Sequence, residues 1–395
     1  MTERLYYTDA YLKQCESVVV SCTPAGAHFE VVLAATAFYA TSGGQPHDTG
    51  TLGRRRVLDV VDRDAAGVVH VVDGPLEVGA RVTGAIDWTR RFDHMQQHTG
   101  QHVLSAAFES ACNARTESFH LGATSATIDL HRIVSPQEIT AAEDDANRVV
   151  WEDREVRLRF VTADEAASLP LRKESGRSGT LRLVEVAGFD LSACGGTHVA
   201  RTGGIGLISV AGWEKFRSGT RVEFRCGGRA LAQLREWRDA IAATNRALSV
   251  SPAELAPAIE RLQGDNKTLG RTVRTLQEQL ARHVAAELVT EGSSASGRVV
   301  VAQALDGWDA AGLKAVAAAV AATPGACAAV FSTAMPALVI VARAADVPVD
   351  AVAVLKALVA RFGGKGGGKP DLAQGGGLAG DIHEIVAAAR DLLSS

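Results

Sequence analysis

Three histidines, His94, His98 and His102, stand four residues apart in the stretch HMQQHTGQHVL. The chain holds only 11 histidines among 395 residues, so this spacing is a signal. Positions four apart share one face of a helix, where their side chains can meet a common ligand. A second grouping, CGGTH, sets Cys194 and His198 around a tight glycine turn. Together His98, His102, Cys194 and His198 offer three imidazoles and one thiolate, a tetrahedral donor set suited to zinc. The soft thiolate is what favours zinc over magnesium or calcium. His94 has no counterpart in the second grouping and is expected to be a supporting or surface histidine, not a ligand. Four protein donors close a tetrahedral site, whereas catalytic zinc usually keeps one position open. The donor set alone therefore leaves open whether the metal acts on water or only orients a substrate. No Ser-His-Asp arrangement offers itself instead.

Elements must position these groups. The expectation is a multidomain α+β chain. Hydrophobic residues make up 47% and charged residues 22% of it, a globular balance with ample core. Residues 1–89 hold short β-rich runs (SVVVSC, HFEVVLAAT, RRVLDVVDR, GVVHVVDG, ARVTGAIDW) whose spacing predicts a small β-barrel, interrupted by the glycine-rich loop FYATSGGQPHDTG. Residues 90–228 read as a mixed α+β domain carrying the zinc ligands, with a Ser135/Glu138 capping box opening one helix. Residues 229–290 read as a helical hairpin. One arm carries Leu231, Leu234, Ile241 and Leu248. The other starts at a Ser251/Glu254 capping box and carries a near-heptad seam of Ile259, Leu262, Leu269, Val273, Leu276, Leu280 and Val284, with Asn266 as a register-setting polar position. Residues 291–395 read as a C-terminal α/β domain. Its stretch GGKGGGKPDLAQGGG is expected to be a backbone loop approached closely by a partner or anion.

Composition narrows the partners. Net charge is −4, so a polyanion must meet local basic patches. Six scattered cysteines, no apolar leader and no uninterrupted apolar span lead to the expectation of a soluble cytoplasmic protein with no membrane partner.

The motifs FYATSGGQPHDTG, HTGQHVLSAAF, SACGGTHVARTG and GWEKFRSGTRVEFRCGGRA resemble, in that order, the editing domain of alanyl-tRNA synthetase and its free-standing AlaX relatives. GGKGGGKPDLAQGGG resembles the signature of the DHH-associated domain that ends the synthetase and the long AlaX forms. The resemblance covers nearly the whole chain. No aminoacylation domain precedes the barrel in this sequence, so the expectation is the trans-editing form. One departure is local: the synthetase helix reads His-Thr-Ala-Thr-His, whereas Gly100 and Gln101 stand here between the ligands.

The resemblance implies zinc-dependent hydrolysis of tRNA(Ala) mischarged with serine, or with glycine. A pocket that selects serine over alanine must bond one hydroxyl, because polar groups built for it are left unpaired by alanine. By similarity, Gln45 and then Thr41 are the candidates for that discrimination, and Asp48 is read as a turn-former. For tRNA phosphates the cluster Lys215, Arg217, Arg221 and Arg225 is the first choice, with Lys365 and Lys369 second. Arg54–Arg56, Arg90 with Arg91, and Arg172, Lys173 and Arg177 form further basic groups. A homodimer through the C-terminal domain is expected. Two other readings compete: a non-catalytic tRNA-binding or dimerisation module with structural zinc, and the related editing domain of threonyl-tRNA synthetase. The glycine-rich motifs speak against the last.

Overall fold

In the strand Gln14–Ala25 the side chains of Cys15, Ser17 and Val19 are buried, while Gln14, Glu16 and Val18 face outward. This period-two pattern belongs to a strand with one wet face. The structure, a computed structural model, describes residues 2–63, 67–172, 179–295 and 297–395. Six strands close a barrel in the order Gln14–Ala25, His28–Leu33, Val68–Val72, Arg55–Asp62, Gly50–Leu52, Arg81–Ile86. Its core is aliphatic and aromatic, with Val31, Leu33, Phe38, Leu52 and Val60 fully buried.

From the barrel the chain enters helix α1 (Trp88–Cys112). The Asp87 side chain caps it by accepting from the Arg90 N–H, and Asn113 ends it in the left-handed conformation. Side chains from His94 to Phe108 are buried with scarcely a break. Helix α2 (Pro136–Trp151), opened by the reciprocal Ser135/Glu138 cap, packs on α1. So does a four-stranded antiparallel sheet of Ile208–Phe216, Gly219–Cys226, Ala126–Leu130 and Thr116–Leu121. A smaller antiparallel sheet, Val156–Thr162, Thr180–Val186 and Asp190–Ala193, carries the chain through the short helix α3 (Ala163–Ala167) and delivers the CGGTH turn to α1. These elements form one compact unit, residues 1–243, which ends within α4 (Gly227–Leu248). Leu231, Leu234, Trp237 and Ile241 on α4 are exposed.

The second unit spans residues 244–395. Helix α5 (Leu255–Glu291) follows a cap in which the Ser251 N–H donates to the Glu254 carboxylate. Ile259, Leu262, Leu269, Val273, Leu276 and Leu280 are exposed along it, whereas Ala281, Ala285 and Leu288 are buried against α6 (Ala310–Ala321). A six-stranded sheet runs Ser293–Ala295, Arg298–Leu305, Ala326–Ser332, Ala337–Arg343, Leu372–Leu378, Lys365–Lys369. Only Arg298–Leu305 and Ala326–Ser332 pair in parallel, because α6 crosses over between them. Helices α5 and α6 cover one face; α7 (Ala351–Phe362) and α8 (Ile382–Ser394) cover the other. The glycine-rich stretch read as a loop is instead an antiparallel hairpin at the sheet edge, turned by Pro370 and Asp371. No helix among the described residues is long and apolar enough to cross a membrane.

Candidate metal centre

Helix α1 presents His98 and His102 from successive turns, and the Cys194–His198 turn meets them. One ligand atom from each of the four side chains falls within 4.8 Å of every other. The Cys194 Sγ lies 3.4 Å from His98 Nε2 and 3.3 Å from His198 Nε2. The imidazoles of His98 and His198 stand 4.5 Å apart, centre to centre, and that of His102 stands 4.7 Å from His198. A Cβ at Gly196 would lie 2.2 Å from His98 Cε1, so only glycine lets the turn come this close.

The surrounding hydrogen bonds settle which ring nitrogen is free. His98 Nδ1 meets Gln45 Oε1 at 2.8 Å, and the same oxygen accepts the Thr197 N–H at 3.1 Å. That oxygen can only accept, so His98 carries its proton on Nδ1. His102 Nδ1 donates to the Asp190 carboxylate at 2.9 Å. His198 Nδ1 meets the Thr99 hydroxyl at 3.2 Å; that hydroxyl donates to the Met95 carbonyl and accepts from the Val199 N–H. With its single proton committed, Thr99 must accept from His198. All three Nε2 lone pairs therefore point into the cluster. Ligating histidines are oriented by outer hydrogen bonds of this kind.

Electrostatics favour Cys194 as a thiolate. Burial opposes the Cys194 thiolate, yet the neighbouring His98 and His198 imidazoles draw the thiol well below its usual range. Burial pushes His198 down to about 3. Burial also opposes charge on His102, but Asp190 and Cys194 outweigh it and raise this imidazole to about 9. Asp190 falls to about 2: its burial is overcome by His102 and by Arg172, whose Nε lies 2.6 Å from Oδ1.

Beside the cluster lies a cavity of about 410 Å³, lined by His98, His102 and Cys194 together with Tyr39, Gln101, Thr116, Phe119, Arg172 and Arg182. Arg182 is buried, donating from Nε to the Tyr7 carbonyl at 3.0 Å and from Nη1 to the Cys194 carbonyl at 2.7 Å. Its Nη2 has no partner among the described residues. Burial lowers its pKa, with the Cys194 thiolate as the main opposing charge.

Three stretches of the chain match known families. Residues 4–90 match the class II (A) tRNA synthetases, residues 181–223 the threonyl and alanyl tRNA synthetase second additional domain, and residues 296–395 the DHHA1 domain. The alanyl-tRNA editing protein AlaX-M of Methanosarcina acetivorans is 36% identical over 218 residues, 50% of this chain and 88% of that protein. The chain belongs to the alanyl-tRNA editing protein family. Aarsd1 of Bos taurus, another alanyl-tRNA editing protein, is 30% identical over 71% of this chain and 67% of its own length. Aarsd1-B of Xenopus laevis is 35% identical over 48% of this chain, which thus spans about half the length of that relative (50%). Among solved structures, the C-Ala domain of Aquifex aeolicus alanyl-tRNA synthetase matches 26% of this chain at 22% identity, with a TM-score of 0.25.

The other residues read from the editing-family motifs fall in different places. Gln45 is fully buried and all its contacts are internal, since its Nε2 donates to the Thr197 hydroxyl at 2.8 Å. Thr41 is exposed and its hydroxyl engages His47. Asp48 is buried in an ion pair with Arg91, which removes that arginine from any surface patch. His94 is buried outside the cluster, with Nδ1 unpartnered among the described residues and its pKa pushed down to about 3 by burial and by Arg90 and Arg229. Lys215 and Arg217 are exposed on the hairpin between Ile208–Phe216 and Gly219–Cys226, while Arg221 is paired with Asp129 and lies 3.6 Å over the Phe216 ring. Arg225 faces Glu223. Lys365 and Lys369 are exposed. Lys173 and Arg177 lie outside the described residues. Sequence reasoning missed Asp190, Thr99, Thr197 and Arg182. Nothing local marks them, since each acts on a partner distant in the chain.

Proposed function

We propose that this chain is a zinc-dependent deacylase that hydrolyses the ester of tRNA(Ala) mischarged with serine or glycine. The observation that carries the reading is the cavity walled by the three-imidazole, one-thiol cluster in a chain of the alanyl-tRNA editing family. Zinc fits the donors. Zinc–sulfur and zinc–nitrogen bonds of about 2.3 and 2.1 Å subtend roughly 3.6 Å at the tetrahedral angle. The sulfur–nitrogen distances of 3.3 and 3.4 Å are close to that edge. When bound, the ion supplies Lewis-acid polarisation at the cavity wall.

The chain's own residues do the rest. Gln45, Asp190 and Thr99 hold the imidazoles in the ligating tautomer. Gln45 and Thr197 also tie the glycine-rich loop to the CGGTH turn, so that the loop shapes the cavity without Thr41 entering it. Arg182 lines the cavity with its unpartnered Nη2 buried in the wall, so its positive charge, not an exposed donor, is what would favour negative charge developing on the ester carbonyl. Lys215 and Arg217, with Lys365 and Lys369, take tRNA phosphates. The exposed seam Ile259–Leu280 supports a homodimer through helix packing. One observation favours a second reading: four protein donors close the cluster, as in structural zinc, which fits a tRNA-binding module without turnover.

Hydrolysis of Ser-, Gly- and Ala-tRNA(Ala) and Ser-tRNA(Thr), by wild type and Cys194→Ala, with metal analysis, separates these. Zinc-linked turnover of Ser-tRNA(Ala) with Ala-tRNA(Ala) spared is expected. A folded, zinc-loaded protein that binds tRNA without turnover refutes the deacylase reading in favour of the module. Preference for Ser-tRNA(Thr) refutes the alanyl assignment of its substrate.

A further inference from the structure

Gln101 stands on α1 between the two ligands His98 and His102, where the related synthetase helix has threonine. Its side chain is 6% exposed and lines the cavity. The Nε2 donates to the Ser105 hydroxyl at 2.8 Å. Ser105 is fully buried and also receives the Thr116 hydroxyl at 2.8 Å, so the far end of the amide is fixed from two sides. Gln101 Oε1, in contrast, makes no hydrogen bond among the described residues, yet it is not one of the buried atoms left without a partner. It is an uncommitted acceptor open to the cavity. The other glutamine near the cluster is in the opposite condition: Gln45 is shut away from the cavity and bonded to His98 and Thr197.

We infer that Gln101 reads the side-chain hydroxyl of the bound aminoacyl group, with Ser105 and Thr116 as positioning residues. This rests on the deacylase reading given above. Serine presents an O–H that Oε1 accepts. Alanine and glycine present none, and leave the carbonyl either unpaired or dependent on a trapped water. The roles of the two glutamines follow from their hydrogen bonds: Gln45 builds the metal site, and Gln101 reads the ligand.

The test compares kcat/KM for Ser-tRNA(Ala) and Gly-tRNA(Ala) in full-length wild type, Gln101→Leu and Ser105→Ala, with bound zinc measured on each. Gln101→Leu keeps the side-chain length and removes the acceptor. It is expected to lower the Ser/Gly ratio by roughly ten- to a hundred-fold. Ser105→Ala leaves the reading group in place but frees it to rotate, and is expected to lower the ratio by about three- to ten-fold. Equal losses on both substrates, or an unchanged ratio in zinc-loaded variants, would overturn the inference while leaving the deacylase reading intact. If Gln101→Leu does not fold, Ser105→Ala decides alone. A wild type that hydrolyses neither substrate refutes the deacylase reading itself.

Discussion

Replacing Gln45 with alanine separates two roles for this residue, holding the metal site or contacting the substrate. The substitution deletes three buried hydrogen bonds, from His98 Nδ1 and the Thr197 N–H to Oε1, and from Nε2 to the Thr197 hydroxyl. Two buried donors lose their acceptor, and each such loss costs about 1–3 kcal/mol. Water entering the vacated space offsets part of this, so a net loss of roughly 2–4 kcal/mol in stability is expected. The His98 ring then loses the contact that fixes its tautomer, and removal of an outer partner of this type weakens metal binding about 10- to 100-fold. Competition against a chromophoric chelator measures that affinity directly. Gln45→Glu keeps two acceptor oxygens for His98 and the Thr197 N–H, so most of the affinity should return. Hydrolysis of Ser- and Gly-tRNA(Ala) should fall together in Gln45→Ala and recover together when zinc is raised. A Gln45→Ala protein with wild-type zinc affinity and an altered Ser/Gly ratio would refute the reasoning and place Gln45 in the substrate pocket.

Four further outcomes are expected. Arg182→Gln should lower kcat about 100-fold with KM and zinc content little changed, whereas an unchanged kcat removes Arg182 from the reaction. His70 is fully buried against Thr36 and the Val31 carbonyl, and burial depresses it from 6.5 to about 4. The unfolded chain therefore binds more protons between pH 6.5 and 4, so stability is lost as pH falls through that window, by up to roughly 3 kcal/mol; denaturant titrations at both ends should show this slope shrink in His70→Gln. Gly100→Ala would put a Cβ 2.2 Å from Cys226 Sγ, an overpacking expected to cost about 1–3 kcal/mol in melting experiments, and the companion change Cys226→Ala should relieve it. Substituting both Lys215 and Arg217 by alanine should reduce the salt slope of tRNA binding by about 1 per residue, and an unchanged slope moves the phosphate contacts elsewhere.

Spacing alone picks out His98, His102, Cys194 and His198, because a helix repeats every four residues and a glycine turn folds a short segment onto itself; the fold then gathers their donor atoms. The helix starts at Ser135 and Ser251 are equally local and equally legible. The residues that orient the donors are not. His98 finds Gln45 at 53 residues' separation, His102 finds Asp190 at 88, and His198 finds Thr99 at 99. Any acceptor would serve at Nδ1, so no residue type announces the partner. Arg182 escapes notice for a different reason. An arginine in the run LRLVEV reads as a wet strand position, whereas both faces of Thr180–Val186 are largely covered. In the glycine-rich hairpin the absence of side chains removes the period-two signal on which a strand is recognised, and main-chain pairing alone decides the structure.

The strand Lys365–Lys369 closes the six-stranded sheet with every residue exposed, and its outer row of amides and carbonyls meets no further strand among the described residues. A flat glycine edge of this kind is a template on which another chain can add a strand, and the charge of a lysine at each end is the ordinary means of discouraging it. The two lysines stand where their charge opposes the addition of a strand. Neutralising them to test RNA contact would remove that opposition as well, and lost binding could then report aggregation. Arginine replacements preserve the charge, and light scattering beside the binding assay tells the two apart.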